Sequence, residues 1–498
     1  MTASDPQTHI ANLERELHWA QLKIQSLEER WRQHLIKLFG PKSETLSSLQ
    51  LELLAQEEPS ATRDEVEAEA RREPITRPSP RKPHPGRKPL PDKLPRVEEV
   101  IACADENCKV CGEPTAVIGY DESELLDVEP AHYFVRVTKR EKRACRRCEN
   151  ATVIAAPLAD RIVEKGLASD AVVINTVVGK YCDHLPLYRQ AVMLEREAGV
   201  EIGRATLDGW VMRVGEVLQP VVAAMRRDLL TATYLQADET TVPVQMHDKR
   251  GENHQAYLWQ YGKPGGETVF DFCLGRGREG PRKFLGEWEG ILQTDGYVAY
   301  DDVGGPKLVQ VGCWAHARRK FVDAVKLNPR DAEAVAMVTR MDALFLIDRD
   351  ARQRELTAGE RLAHRAEYAE EWLQEIHETS LRLSREVLPK GALGQAVTYT
   401  LNQWPKLRRC FDYAEVELSN NLAENSMRPV ALGRKNWLHV GSPQSGPKVA
   451  AILSVVESCR RLAVPVKEYL AAVLPGLNQR TLSQVANLTP ARWMTSRG

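Results

Sequence analysis

Long apolar runs are missing from this chain. No stretch approaches the roughly 20 residues that a bilayer-spanning helix needs, which excludes a helical membrane protein. The N-terminus carries Asp5, Glu14 and Glu16, and has neither the basic start nor the apolar stretch of a secretory signal. The expectation is a cytoplasmic protein. Aromatic residues are few, at 6%, and the net charge is only −1, so the total gives no hint of a polyanionic partner. The distribution of charge does. Residues 52–73 are acidic, whereas 71–96 and 139–147 are basic, and local blocks are what a phosphate backbone meets. At 498 residues the chain exceeds one core and should form several domains, at roughly 150 residues each.

Ten cysteines are present, and four of them form a pair of CxxC turns: Cys108, Cys111, Cys145 and Cys148. Each turn brings two thiolates to one side, and four thiolates complete a closed tetrahedral zinc site. With a strand-like segment between the turns, this reads as a zinc ribbon over 98–155 whose Zn2+ is structural. Before it, Ile10, Leu13, Leu17, Ala20, Ile24, Leu27, Trp31 and Leu38 follow alternating spacings of three and four, with His34 where one seam residue should be. That is either a coiled-coil seam for self-association or an amphipathic helix docked on its own chain, over 1–55. Residues 56–97 read as a linker, in which 71–96 hold prolines every few positions with basic residues between them, the composition of an extended chain. Arg87 and Lys88 make it either a basic arm along DNA or a solvated connector.

From 156 to 230 the periodicity is helical. A helix ending at Gly199, a short turn, and a helix opening with Arg204 and Thr206 suit either a DNA-reading helix-turn-helix or a plain helical bundle. From Thr233 the period changes to that of strands. Three strands, a helix over 280–288, a fourth strand ending at Asp295 and a fifth over 308–313 follow the order of the ribonuclease-H-like fold. In that order the first and fourth strands are neighbours, so Asp238 and Asp295 meet at the sheet's edge. A buried strand that ends in a carboxylate must pair it or present it to a cation. Two such carboxylates repel, and a hard cation such as Mg2+ removes the conflict. Further on, Asn420 or Asn421 caps a helix that carries Glu424 in its first turns.

Four stretches then resemble one family. They are Gln236-Ala237-Asp238-Glu239-Thr240, Leu292-Gln293-Thr294-Asp295-Gly296-Tyr297, the run from Gly312 to Phe321, and the run from Asn420 to Trp437. Together they resemble the DDE transposases of insertion-sequence family 66, and the likeness extends along almost the whole chain. Pro41 departs from it where a basic residue is expected. The resemblance implies transposition of the element that encodes the chain, through recognition of terminal inverted repeats. It implies catalysis by Asp238, Asp295 and Glu424 with two Mg2+ or Mn2+ ions, in a bacterial cytoplasm at the nucleoid. Arg428, Arg434, Lys435 and the His316/Arg319 pair would hold phosphates. Alternatively Arg428 pairs with Glu424, and His316 is an ordinary helix residue. Partners would be DNA, further copies of the chain and companion proteins of the same element.

The expected architecture is therefore multidomain: a ribonuclease-H-like α/β catalytic core (231–327 and 401–440) with a helical insertion (328–400). Coiled coil, linker, zinc ribbon and helix-turn-helix-like domain precede it, and a helical tail (441–498) follows and contributes no chemistry. Two rival readings are a non-catalytic DNA-binding protein and a structure-selective nuclease on the same core.

Overall fold

A computed structural model describes Leu17, Ile24, Leu27 and residues 133–143, 154–157, 159–164, 166–246 and 252–496. Leu17, Ile24 and Leu27 are helical, and all three are exposed. The rest of the expected coiled coil, the linker with Arg87 and Lys88, and the four ribbon cysteines lie outside the described residues. By its contacts the chain divides into two units, Glu58–Arg136 and the remainder. Of the first, only residues 133–136 are described, and every described helix and strand belongs to the second.

Two short strands, β1 (Lys142–Arg143) and β2 (Ile154–Ala155), form an antiparallel pair. Three helices follow: α1 (Asp170–Tyr181), α2 (Leu187–Ala198) and α3 (Arg204–Leu229). Gly199 ends α2 in the left-handed conformation, at φ 67°, which a side chain would resist. Then come β3 (Tyr234–Gln245), β4 (Asn253–Gly262), β5 (Thr268–Cys273), α4 (Glu279–Leu285), β6 (Ile291–Gln293) and β7 (Val309–Val311). These strands build one sheet in the order β5-β4-β3-β6-β7. The pairs β3–β4 and β4–β5 are antiparallel, and β3–β6 and β6–β7 are parallel. The first and fourth strands of the core are neighbours, as expected.

Side chains alternate across a strand, so successive residues serve opposite faces. Leu235, Ala237 and Leu292 enter one apolar core, while Tyr234, Ile291 and Val311 enter another. The sheet thus separates two cores. The first is completed by α1, α3 and the late helices α10 (Gly446–Arg461) and α11 (Val466–Val473). The second is filled by α5 (Trp314–Leu327), α6 (Ala332–Gln353), α7 (Ala358–Glu386) and α8 (Ala392–Arg408). Helix α8 runs without a break through residue 400, the expected end of the insertion. Helix α9 (Asn421–Trp437) lies beside β3, and two short helices, α12 (Leu482–Ala486) and α13 (Pro490–Thr495), end the described chain.

Helix α10 covers an apolar face of the sheet beside β5, and it also bonds to the edge of β5. Ser454 Oγ accepts from Phe270 N at 2.8 Å; Ser458 Oγ accepts from Thr268 N and donates to Thr268 O, both at 2.9 Å. The two serines, one turn apart, satisfy backbone groups that an edge strand otherwise leaves open.

Candidate active site

Register brings the first two carboxylates together. Gln236 of β3 lies opposite Gln293 of β6, and the strands are parallel. Asp238 and Asp295 each stand two residues further along, so they sit at the same level. Strand β6 ends at Gln293, and there β3 loses its neighbour on that side. Asp238 therefore occupies the notch where the two chains part. Its Oδ1 accepts from Glu239 N at 2.9 Å. Asp295 Oδ1 accepts from Tyr297 N at 2.9 Å, closing a tight turn, and its carbonyl accepts from Tyr399 of α8 at 2.5 Å.

Helix α9 delivers the third carboxylate. Gln236 Nε2 donates to Ser419 O just before the helix at 3.0 Å, and Val440 just after it pairs with the far end of β3. Strand and helix thus run side by side between two anchors. From the first anchor, Asp238 lies about 7 Å along at roughly 3.3 Å per strand residue. Glu424 is the fourth residue of α9, in its first turn, and its charge reaches Asp238. Burial, and then the charges of Glu239, Asp295 and Glu424, push the Asp238 carboxyl up to about 8.

A fourth acid, Glu239, was not singled out from sequence. Its side chain is buried; Arg276 binds Oε1 through Nε at 3.0 Å and Nη2 at 2.6 Å, and Tyr300 donates to Oε2 at 2.8 Å. Burial raises its carboxyl above the ordinary range despite these partners. Arg276 also lies 3.9 Å from the Tyr297 ring centroid, an arrangement of the cation–π kind. Glu239 is adjacent to Asp238 in a motif already read, but nothing local in sequence points to Arg276 or Tyr300 as its partners.

The basic residues fall into two groups. Arg319 Nη2 lies 3.3 Å and His316 Nε2 3.5 Å from the Glu424 carboxylate, so both face the site's own acid. Burial lowers the His316 imidazole against the pull of Glu424. Arg434 donates to Thr240 Oγ1, Thr241 Oγ1 and Thr241 O at 2.6–3.0 Å, pinning α9 to β3. Arg428 and Lys435, by contrast, are exposed on α9, and Arg428 does not pair with Glu424. Arg204 and Thr206 are exposed on the first turn of α3, away from these contacts. Asn420 is the residue before α9, yet its buried side chain makes no capping hydrogen bond.

Among the described residues no three His, Cys, Asp or Glu side chains converge closely enough to hold one metal ion. The donor set nonetheless fits a hard divalent cation: oxygen ligands only, one of them buried beside other acids. No helix among the described residues is long and apolar enough to cross a membrane.

Comparison with known families gives three matches along the chain. The profile described as "Transposase IS66 family" matches residues 165–448. "Transposase C of IS166 homeodomain" matches 26–98, and "zinc-finger binding domain of transposase IS66" matches 105–149. Similar curated proteins include three uncharacterized proteins of Sinorhizobium fredii. Protein y4jD is 32% identical over 81% of this chain and 81% of its own length. Protein y4hP is 32% identical over 95% and 88%, and y4qI is 30% identical over 79% and 76%.

Proposed function

The chain belongs to the IS66 transposase family, and from that premise we propose that it cuts DNA at the ends of an insertion sequence and joins them to a target. In this reading it recognises terminal inverted repeats, and Asp238, Asp295 and Glu424 act as a DDE triad on a ribonuclease-H-like core. The observation that carries the reading is the parallel register of β3 and β6: Asp238 stands two residues beyond Gln236, and Asp295 two residues beyond its partner Gln293 at the end of β6. The sheet order, in which β4 alone runs against the other four strands, supports the fold assignment.

Asp238, Asp295 and Glu424 would hold two Mg2+ or Mn2+ ions. Bound there, such ions activate an attacking hydroxyl and stabilise the leaving oxygen of an in-line displacement. The chain supplies the rest. The notch beside β6 presents both aspartates, and α9 sets Glu424 against them. Arg428 and Lys435, exposed on the same helix, bind phosphates of the strand to be cut. Arg319 would orient Glu424 and offset its charge, and His316 would help to orient it. Cys108, Cys111, Cys145 and Cys148 hold a structural Zn2+. Arg204, Thr206, Arg87 and Lys88 contact DNA away from the cut, and two or more protomers bring the element ends together.

One observation favours the rival reading of a DNA-binding protein without catalysis: the Glu424 carboxylate is already engaged by Arg319 and His316 of its own chain. Cleavage of labelled DNA carrying element ends, with Mg2+ or Mn2+, separates the two. Cutting at the end by the intact protein, lost in Asp238→Ala while binding persists, is the expected result. Specific binding by the intact protein without cutting under any of these conditions overturns the catalytic reading.

A further inference from the structure

Two glutamines and a tyrosine occupy the fully covered space beneath the carboxylates. Gln236, Gln293 and Tyr234 are at most 6% exposed. Tyr234 Oη donates to Gln293 Oε1 at 2.5 Å, and Gln236 Nε2 reaches the same Oε1 at 3.0 Å and Tyr234 Oη at 2.9 Å. Four segments of the chain are tied together by this cluster: β3, β6, Gly312 and 417–419. Gln236 Nε2 donates to Ser419 O at 3.0 Å. Gln293 Nε2 donates to Glu417 O at 2.7 Å and to Gly312 O at 3.0 Å. Tyr234 Oη accepts from Glu417 N at 3.2 Å.

Burying two primary amides and a phenol costs free energy unless they are bonded, and apolar side chains would fill the same volume more cheaply. The cluster's hydrogen bonds run mainly to one place: the irregular segment Glu417–Ser419, which has no sheet partner of its own and leads directly into α9. Each glutamine precedes a site aspartate by two residues. We infer that Gln236, Gln293 and Tyr234 are positioning residues, an amide clasp that sets the start of α9, and with it Glu424, against Asp238 and Asp295. The inference rests on the catalytic reading for its consequence, though not for the clasp itself.

The consequence is specific. Without the clasp, Glu424 approaches the aspartates less often, so turnover falls and more metal is needed, while DNA held elsewhere on the chain binds as before. A buried hydrogen-bonded group left unpaired shifts a local equilibrium by about tenfold or more.

The test uses the full-length protein and Gln236→Met and Gln293→Met, which keep length and lose the donors. Tyr234→Phe is the milder third variant. Val173→Ala, on the buried face of α1, serves as a control of lowered stability outside the clasp. Two readouts are taken: hydrogen exchange of the peptide covering 417–426, and cleavage of end-bearing DNA against Mn2+ concentration. In the glutamine variants, exchange at 417–426 should rise about tenfold, kcat should fall about tenfold or more, and the half-saturating Mn2+ should rise. KM for DNA should stay within about twofold, and Val173→Ala should change none of these selectively. Unchanged exchange at 417–426 in both glutamine variants overturns the clasp, whatever the cleavage result. Faster exchange with a wild type that never cleaves upholds the clasp and overturns the catalytic reading instead.

Discussion

Arg428 and Arg434 stand six residues apart on one helix, and composition gives no means of telling them apart. Geometry does. Arg434 spends its guanidinium on three oxygens of Thr240 and Thr241, whereas Arg428 stands exposed. Arg434→Ala should therefore cost about 1 kcal/mol or more in denaturant unfolding, since it removes three hydrogen bonds to part-buried acceptors. Arg428→Ala should leave stability within about 0.5 kcal/mol and lower the salt slope of DNA binding by about one. Equal effects of both changes on stability would refute the division. Asp238 supports a second contrast. A carboxylate that is buried beside three other acids is a local strain on the metal-free fold. Asp238→Asn keeps its shape and removes its charge. In EDTA that variant should melt a few degrees above the wild type, and it should lose any stabilisation by added Mn2+. A lower melting temperature in EDTA would show that the charge is not a strain.

At the scale of elements, period and punctuation were readable because the forces behind them are local. Thr240, Thr241, Val242 and Val244 favour an extended chain, Gly199 ends α2, and Asn328-Pro329 ends α5. The pairing of β3 with β6 also followed from element order alone. What stayed hidden depends on partners far along the chain. Ser454 and Ser458 look like tolerated small residues in an apolar helix until β5, more than 180 residues earlier, is set against them. Arg365 looks like one charge among many in α7. It is wholly buried, bound to Asp348 of α6 and to the carbonyls of Cys410, Tyr413 and Val416. Arg361 and Arg352 also reach Asp348, and Arg352 also pairs with Glu417. Burial raises the Asp348 carboxyl, but Arg365 and Arg361 outweigh it and hold the group below its ordinary value. A depressed carboxyl contributes stability in full above the unfolded Asp range, about pH 4, and loses it as pH falls through the lowered value. Asp348→Asn should therefore cost about 3–5 kcal/mol at pH 7, because Arg365 stays buried and unpaired. The gap between variant and wild type should narrow in urea titrations taken below about pH 4. A gap that is constant down to about pH 2 would show that the arginines find other partners.

For the molecule as a whole, a net charge of −1 means that no overall field draws DNA toward the chain. Binding must then come from local cations that the protein leaves unspent, and many are spent. Arg318 holds Asp342, Lys406 holds Asp301, Arg319 faces Glu424 and Arg434 holds β3. This consumption of cations by the fold was invisible in the sequence, where Arg319 and Arg434 stood beside Lys435 as phosphate contacts. It shifts weight toward basic residues earlier in the chain, where 71–96 is the longest basic block and 139–147 the densest. If 71–96 lies along DNA, each of its cations releases counterions on binding, and affinity falls with salt at about 0.9 per phosphate neutralised. The double change Arg87→Ala with Lys88→Ala, in the full-length protein, should then reduce the slope of log affinity against log salt by about 1.8. The unfolding midpoint should not move, because a proline-spaced segment has no core to lose. An unchanged slope would make the segment a solvated connector, and would return the burden of DNA binding to Arg428, Lys435 and the exposed start of α3.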